Sequence, residues 1–178
     1  MKVNHYTVAG HAHYLTFSCY KKLWLFKSPN LYSSFLLNMV KAKQRRGFYL
    51  YGYVVMPNHV HLLISPHPDT SISSILTSIK RPFSFHALNY LQDRHPELQK
   101  KLQVRIGAKE VRRFWQAGGG YDRNIYRDET FVRTLEYVHF NPVRKGLVDS
   151  PVDWKWSSAR YYDTKEADPI EVDWPDWW

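Results

Sequence analysis

The sequence predicts an α+β domain in which an antiparallel sheet of the split βαβ kind carries helices on one face. Segments rich in β-branched and aromatic residues alternate with segments whose apolar residues recur at helical spacing, in the order strand, helix, strand, strand, helix, strand, helix. The 178 residues are enough for one hydrophobic core, and no repeat or Pro/Gly-rich linker divides them.

The first half of the chain supplies three of the strands and the first helix. β-branched and aromatic residues predict strands at residues 13–20, 48–56 and 59–65, the last two joined by a turn at Pro57-Asn58. Apolar residues at helical spacing predict a helix at residues 31–46, with basic residues in its last turn and Gly47 as its stop.

The second half predicts two further helices separated by a basic segment. We expect a helix from residue 70, an exposed polar excursion at residues 94–113, a strand at residues 121–126 and a helix at residues 128–141. Pro82 should end or kink the first of these helices, since proline lacks the backbone N–H, and residues 83–91 are an alternative continuation of it. Asp128 is a suitable N-cap for the last helix.

The charge of the chain is unevenly distributed. The formal net charge is +9, but residues 163–178 contain six acids and one lysine, so residues 1–162 carry +14. Such an excess favours a polyanionic partner, because neutralising phosphates releases condensed counterions; the alternative is a basic surface without such a partner. We therefore predict a basic domain at residues 1–162 and an acidic, Trp-rich C-terminal tail at residues 163–178.

The composition disfavours several classes of protein. Cys19 is the only cysteine, which excludes an intramolecular disulfide and a multi-cysteine zinc site. No apolar run resembles a signal peptide or reaches the length of a membrane span. We expect a cytoplasmic, nucleoid-associated protein with no membrane partner.

Two histidines stand two positions apart in a predicted strand. Side chains alternate along a strand, so His59 and His61 should point to one face while Val60, Leu62 and Ile64 point to the other. Two neighbouring imidazoles anchored in this way suit a metal ion. The alternative is a pair of hydrogen-bonded surface residues, and the spacing alone favours that alternative.

A tyrosine and an asparagine share one face of the last predicted helix. Tyr137 and Asn141 are four residues apart, whereas Phe131, Leu135 and Val138 form the core stripe of that helix. The pair therefore lies off the core stripe. The alternative, which the spacing alone favours, is a tyrosine packed at the core edge and an asparagine that only caps the helix.

Several motifs in a consistent order carry a resemblance to a known family. Residues 56–63 read MPNHVHLL, residues 114–116 read FWQ, residues 121–123 read YDR, residues 136–148 read EYVHFNPVRKGLV and residues 154–158 read WKWSS. From about residue 11 to residue 161 the sequence resembles the IS200-like single-tyrosine transposases. It is most similar to their domesticated branch, the REP-associated tyrosine transposases, while residues from Asp163 onward match no motif.

The resemblance implies a fold, a chemistry and a set of site residues. The fold is that of the HUH nucleases, and the chemistry is metal-dependent nicking and joining of single-stranded DNA at hairpin-flanked or palindromic repeats, with no nucleotide cofactor. His59 and His61 are the implied ligands of Mg²⁺ or Mn²⁺, and Tyr137 is the nucleophile that forms a 5′-phosphotyrosine. Asn141 is the implied third ligand, where insertion-sequence relatives more often carry Gln. His139 is expected to be structural.

Basic and aromatic side chains supply candidate DNA contacts. The basic candidates are Lys41, Arg45, Lys80, Arg81, Arg112, Arg113 and Arg123. Tyr49, Tyr51 and Tyr53 are expected on one strand face, where they either stack unpaired bases or pack in the core. Residues 118–120, three glycines, are expected to form a flexible connection.

Three rival interpretations stay open. They are a non-cleaving DNA hairpin-binding protein of the same fold, a related histidine-pair nuclease such as a replication initiator or relaxase, and a metal-binding protein unrelated to DNA. We slightly favour a monomer over a homodimer. The acidic tail is expected either to fold against the DNA-binding side and compete with substrate, or merely to pack or stay mobile.

Overall fold

The computed structural model describes residues 11–165 and 170–175. The strands are β1 (Ala12–Ser18), β2 (Phe48–Met56), β3 (His59–Pro66), β4 (Gln103–Ile106), β5 (Lys109–Arg112) and β6 (Tyr121–Ile125). The α-helices are α1 (Pro29–Arg46), α2 (Ile72–Arg94), α3 (Gln99–Leu102), α4 (Asp128–His139), α5 (Asn141–Arg144) and α6 (Ala159–Thr164).

The main sheet has four antiparallel strands in the order β2-β3-β1-β6. The central pair runs in register from His13↔Ile64 to Ser18↔His59. Strands β4 and β5 form a separate hairpin inside the segment expected to be an exposed excursion. The α+β class and the order of the larger elements are confirmed, and the hairpin is an addition.

Helices cover both faces of the main sheet. The apolar residues of α1 and α2 form the main core with Leu15, Val60 and Leu62 from the sheet. Helix α4 lies on the opposite face against β2 and β3, where Leu135 packs with Leu63. The expectation of helices on one face therefore holds for α1 and α2 alone, because α4 has an apolar stripe of its own to bury.

Helix α2 continues through Pro82 for 23 residues. Ile79 and Phe83, on either side of the proline, are both buried in the main core. Their packing outweighs the one backbone hydrogen bond that proline removes, so the helix does not end at Pro82. Neither α2 nor any other helix in the described part of the chain is long and apolar enough to cross a membrane.

A bulge in β2 separates the three tyrosines expected on one strand face. The register of β2 against β3 shifts between Leu50 and Gly52, so residues beyond the shift change face. Tyr53 is completely buried in the main core, whereas Tyr49 and Tyr51 lie on the other face with their rings stacked 6.2 Å apart. The expectation of a shared face was wrong, because a bulge leaves no clear mark on the alternation of a sequence.

The described part of the acidic tail is attached to β2 and α1. The Asp173 backbone N–H donates to the Leu50 carbonyl at 2.8 Å, and the Leu50 N–H donates to Asp173 Oδ2 at 2.6 Å. The same carboxylate pairs with Lys43 Nζ at 2.7 Å. The tail thus satisfies backbone groups on the outer edge of β2.

The tail also contributes to the core. Ile170 and Val172 are buried in the main core, and the predicted boundary after residue 162 falls inside α6. Trp177 and Trp178 lie outside the described residues. Competition between the tail and DNA stays a prediction.

Gly120 joins the glycine segment to β6 under tight constraint. Its φ of +83° is in the region that favours glycine, and a Cβ atom at this position would overlap the carbonyl oxygen of Thr16 in β1. The flexible connection expected at residues 118–120 therefore ends in a fixed joint against the sheet.

Replacing Gly120 with alanine should lower the free energy of unfolding by about 2 to 4 kcal/mol, since strain from positive φ adds to overlap with a backbone atom. Gly107→Ala is the matched control: φ is +59°, but nothing lies within 4 Å of the added Cβ, so about 1 kcal/mol is expected. Urea denaturation measures both values, and equal losses would contradict the overlap.

Candidate active site

Strand β3 carries the two histidines on the face opposite the main core. Val60 and Leu62 are completely buried in that core, whereas His59 and His61 point the other way. The two imidazoles face each other, with their Nε2 atoms 3.0 Å apart. The structure thus brings the predicted histidine pair together.

Hydrogen bonds to the Nδ1 atoms orient both rings. His59 Nδ1 lies 2.6 Å from Asn58 Oδ1, and because an amide oxygen only accepts, this nitrogen carries the proton. His61 Nδ1 lies 2.8 Å from both the Tyr14 hydroxyl and Thr16 Oγ1, to which it donates in the matching tautomer. Both Nε2 lone pairs then converge on one point.

Burial keeps both imidazoles neutral. Desolvation, with a smaller contribution from the charge of Lys145, lowers the pKa of His59 to about 4. Desolvation, followed by the neighbouring His59, lowers the pKa of His61 to about 3. Around neutral pH each ring is therefore neutral, with an unprotonated Nε2 atom.

Asn141 completes the group as the first residue of α5. Helix α4 ends at His139, two residues before Asn141, so the predicted end at residue 141 was too late. Asn141 is only 4% exposed, and its Nδ2 atom donates to His61 Nε2 at 2.9 Å. Within residues 11–165 and 170–175, no three His, Cys, Asp or Glu side chains form a metal-binding cluster.

Tyr137 lies on α4 above the histidines. Its side chain is 46% exposed, and its ring meets that of His61 edge-on at 5.9 Å. Arg144 fixes this position: its guanidinium lies 3.8 Å from the centre of the Tyr137 ring, and its Nη2 donates to the Tyr137 carbonyl at 2.8 Å.

Two clefts open on either side of Tyr137 and His61. The first, which we call the arginine cleft, has a volume of about 640 Å³ and is lined further by Tyr14, Tyr121, Arg123, Thr130, Arg133 and Thr134. The second, the histidine cleft, has a volume of about 510 Å³ and includes Lys22, Trp24, His59, Asn141 and Lys145. Open space therefore lies on both sides of the tyrosine.

The predicted basic DNA contacts are scattered over the molecule. Of these seven residues, Arg123 alone lines a cleft beside Tyr137. Lys41 and Arg45 are exposed on α1, and Arg113 is half-buried after β5.

Two of the predicted contacts are engaged within the protein. Lys80 is in the middle of α2, not at its end; its Nζ donates to the Gly118 carbonyl, and burial lowers its pKa. Its neighbour Arg81 is exposed and, together with Lys80 and Gly118, lines a small pocket on α2. The Arg112 guanidinium donates to Gln92, Gln99, Asn89 and the Leu88 carbonyl, which ties β5 to α2.

His139 is structural, in agreement with expectation. It is buried on α4, its Nε2 lies 2.8 Å from Ser158 Oγ, and its ring packs against Tyr162.

Helix α4 begins at Asp128 itself, with Arg127 as N-cap residue and no side-chain capping bond. Asp128 in the first turn still favours the helix through the macrodipole.

Sequence reasoning missed the residues that surround the group. Tyr14 and Thr16 carried one signal, since they stand two apart in a predicted strand, as the histidines do. Arg133 carried a signal too, four residues before Tyr137 on the same helical face. Arg144 follows the end of α4, and no spacing rule places it over the tyrosine ring.

Comparison with known proteins gives consistent results. The sequence matches the family described as "Transposase IS200 like" over residues 7–140, more than half of the chain. It is 26% identical over 121 residues to a Haemophilus influenzae protein described as a REP-associated tyrosine transposase, covering 67% of this chain and 62% of that protein. It is 27% identical over 123 residues to a REP-associated tyrosine transposase of Escherichia coli K12, covering 67% and 59%.

The chain therefore spans less than two thirds of the length of these curated relatives. Its structure is similar to that of a REP-associated tyrosine transposase solved with a REP hairpin, with a TM-score of 0.70 over 98% of this chain and 91% of that chain. At 21% identity this likeness supports the fold. The sequence match over residues 7–140 shows that this chain belongs to the IS200-like transposase family.

Proposed function

We propose that this chain is a metal-dependent endonuclease and strand transferase that acts on single-stranded DNA through a covalent bond to Tyr137. One observation carries the proposal: a half-exposed phenol lies beside two imidazoles whose unprotonated Nε2 atoms are 3.0 Å apart, where two open clefts meet. A nucleophile, a pair of metal-ligand atoms and space for a strand are the components that phosphoryl transfer requires.

The three side chains suit a divalent ion, Mg²⁺ or Mn²⁺. Ligands at right angles, about 2.1 Å from an octahedral ion, are about 3 Å apart, and the two Nε2 atoms are separated by 3.0 Å. The Asn141 carboxamide adds an oxygen ligand when it is turned over. When bound, such an ion would polarise a non-bridging oxygen of the scissile phosphate and stabilise the charge of the transition state.

The covalent step balances without any nucleotide cofactor. The bond from Tyr137 Oη to phosphorus forms as the bond from phosphorus to O3′ breaks, which leaves a 5′-phosphotyrosine and a 3′-hydroxyl. The phenol loses one proton and O3′ gains one. Because one phosphodiester replaces another, attack by a 3′-hydroxyl on the phosphotyrosine rejoins a strand.

Arg144 acts as a positioning residue for the nucleophile. Its contact with the ring and its bond to the Tyr137 carbonyl restrict both the side chain and the backbone of the tyrosine. A phenol held in line with the phosphorus reacts faster than a mobile one, because orientation is established before the transition state.

The DNA target of the proposal is a hairpin formed by a palindromic repeat. Two relatives are described as REP-associated, and a structurally similar transposase was solved with a REP hairpin. We also favour a monomer, since Tyr137 lies against His61 of its own chain. A non-cleaving hairpin-binding protein is the alternative, and covalent adduct formation separates the two.

Tyr137→Phe should abolish the covalent protein–DNA adduct, with a loss of more than about 1,000-fold, because it removes the nucleophilic oxygen and keeps the ring. Its affinity for the hairpin should match that of the wild type. A denaturing gel after incubation with a hairpin oligonucleotide and Mn²⁺ detects the adduct, and fluorescence anisotropy measures the affinity. An adduct in the Phe variant would assign the chemistry to another residue, whereas no adduct with the wild type would favour the binding protein.

His59→Ala and His61→Ala should each reduce Mn²⁺-dependent cleavage by about 100-fold or more, since each removes one ligand atom. The fold should survive, because both side chains leave the core face of β3. Asn141→Gln keeps the amide and should be the mildest change. Calorimetric titration with Mn²⁺ tests the assignment directly, and unchanged affinity in both alanine variants would refute it.

Arg144→Ala should lower the single-turnover cleavage rate by about 10-fold while DNA affinity changes little, because orientation of Tyr137 is lost. Arg144→Lys should not restore the rate, since lysine lacks the planar guanidinium that stacks on the ring. Arg94→Ala, which removes an equal charge at the end of α2, is the control. Full recovery with lysine would mean that Arg144 acts through charge alone.

A further inference from the structure

The floor of the arginine cleft is formed by the free face of β1 and β6. Across this strand pair, Tyr14 is opposite Arg123 and Thr16 is opposite Tyr121. Alternate residues of a strand share a face, and Thr16 is paired with His61, so these four side chains project from the face of the sheet that carries His61. Because β6 is the outer strand, the floor is open to solvent along its edge.

Helix α4 forms the wall of the cleft. Thr130, Arg133, Thr134 and Tyr137 are spaced so that they occupy one helical face, and all four line the cleft. The volume of about 640 Å³ falls within the range of about 300 to 1,000 Å³ in which small ligands bind. The cleft therefore has room for one nucleotide directly beside the nucleophile.

The chemistry of the lining suits a nucleotide. Tyr121 is 54% exposed and meets Tyr14 edge-on at 5.9 Å, so one face of its ring is open. Arg123 and Arg133 are both exposed, and the lining contains no carboxylate. An open aromatic face in the same cleft as two cations is the combination that stacks a base and neutralises its phosphate.

We propose that the arginine cleft is a subsite for one unpaired base of the DNA strand adjacent to the cleaved bond, with the base stacked on Tyr121. The bases of a duplex are already stacked on one another, so only an unpaired base reaches the ring. The proposal rests on the proposed function, since Tyr137 supplies the reason for a strand to pass here. It adds a base-binding step that the metal group and the nucleophile do not provide.

A thermodynamic cycle that combines Tyr121→Ala with removal of the bases from the DNA tests the subsite without knowledge of the target sequence. The probes are a fluorescently labelled oligodeoxyadenylate and an abasic oligomer of the same length, measured by anisotropy with metal-free protein. Tyr121→Ala should weaken binding of oligodeoxyadenylate about 10-fold, because one stacked base is lost. It should leave binding of the abasic oligomer unchanged.

Two variants serve as controls. Tyr121→Phe keeps the ring and should bind as the wild type does. Tyr126→Ala removes another tyrosine, 68% exposed and lining a different pocket, and should change neither affinity. If Tyr121→Ala weakens both oligomers equally, or neither, the base-binding subsite is refuted.

The cleavage assay separates this inference from the proposed function. A base-dependent effect of Tyr121→Ala without any covalent adduct in the wild type would retain the subsite and remove the proposed chemistry. An adduct in the wild type, with affinities that do not depend on the base, would retain the chemistry and remove the subsite.

Discussion

The alternation of side chains along β3 is the constraint on which the site depends. Val60 and Leu62 are held in the main core, so His59 and His61 have to emerge on the other face. The register with β1 places Thr16 opposite His61, and its hydroxyl meets the Nδ1 atom of that histidine. A slip of one residue would bury both imidazoles. Core packing therefore determines the face on which His61 emerges, and the hydrogen bonds at its Nδ1 atom turn its Nε2 atom toward His59.

The position of α4 is the second requirement, and it depends on close approach to β2. Gly52 has no Cβ, and Leu135 of α4 occupies that space. After His139 the chain turns into α5, which returns Asn141 to His61 and Arg144 to Tyr137. Nucleophile and ligand candidates thus come from elements on one face of the sheet, although they are distant in sequence.

The sequence correctly predicts the faces of those residues whose positions follow from local periodicity. The face shared by His59 and His61 follows from strand alternation, and the exposure of Tyr137 follows from the helical stripe that contains Leu135. Tyr53 could not be placed, because the register shift between Leu50 and Gly52 moves it to the other face and leaves no clear mark on the sequence. Arg112 was expected at DNA, whereas its bonds within the protein depend on how β5 meets α2. Strand alternation depends only on neighbouring residues in the sequence, whereas these features depend on tertiary contacts.

In the proposed mechanism, the electrostatics of the site would make metal binding depend on DNA. His59, His61 and Asn141 would offer an ion three neutral ligands, and Lys145 and Lys22, whose charges help to lower the pKa of His59, would also oppose a divalent cation. A scissile phosphate would bring negative charge that offsets this repulsion. In the proposed mechanism ion and strand would therefore each raise the affinity of the other, since coupling between two ligands is reciprocal. Three carboxylates would instead hold the ion in the absence of DNA. Because the ligands are neutral and their surroundings are cationic, the ion would complete the catalytic group only while a DNA strand is bound.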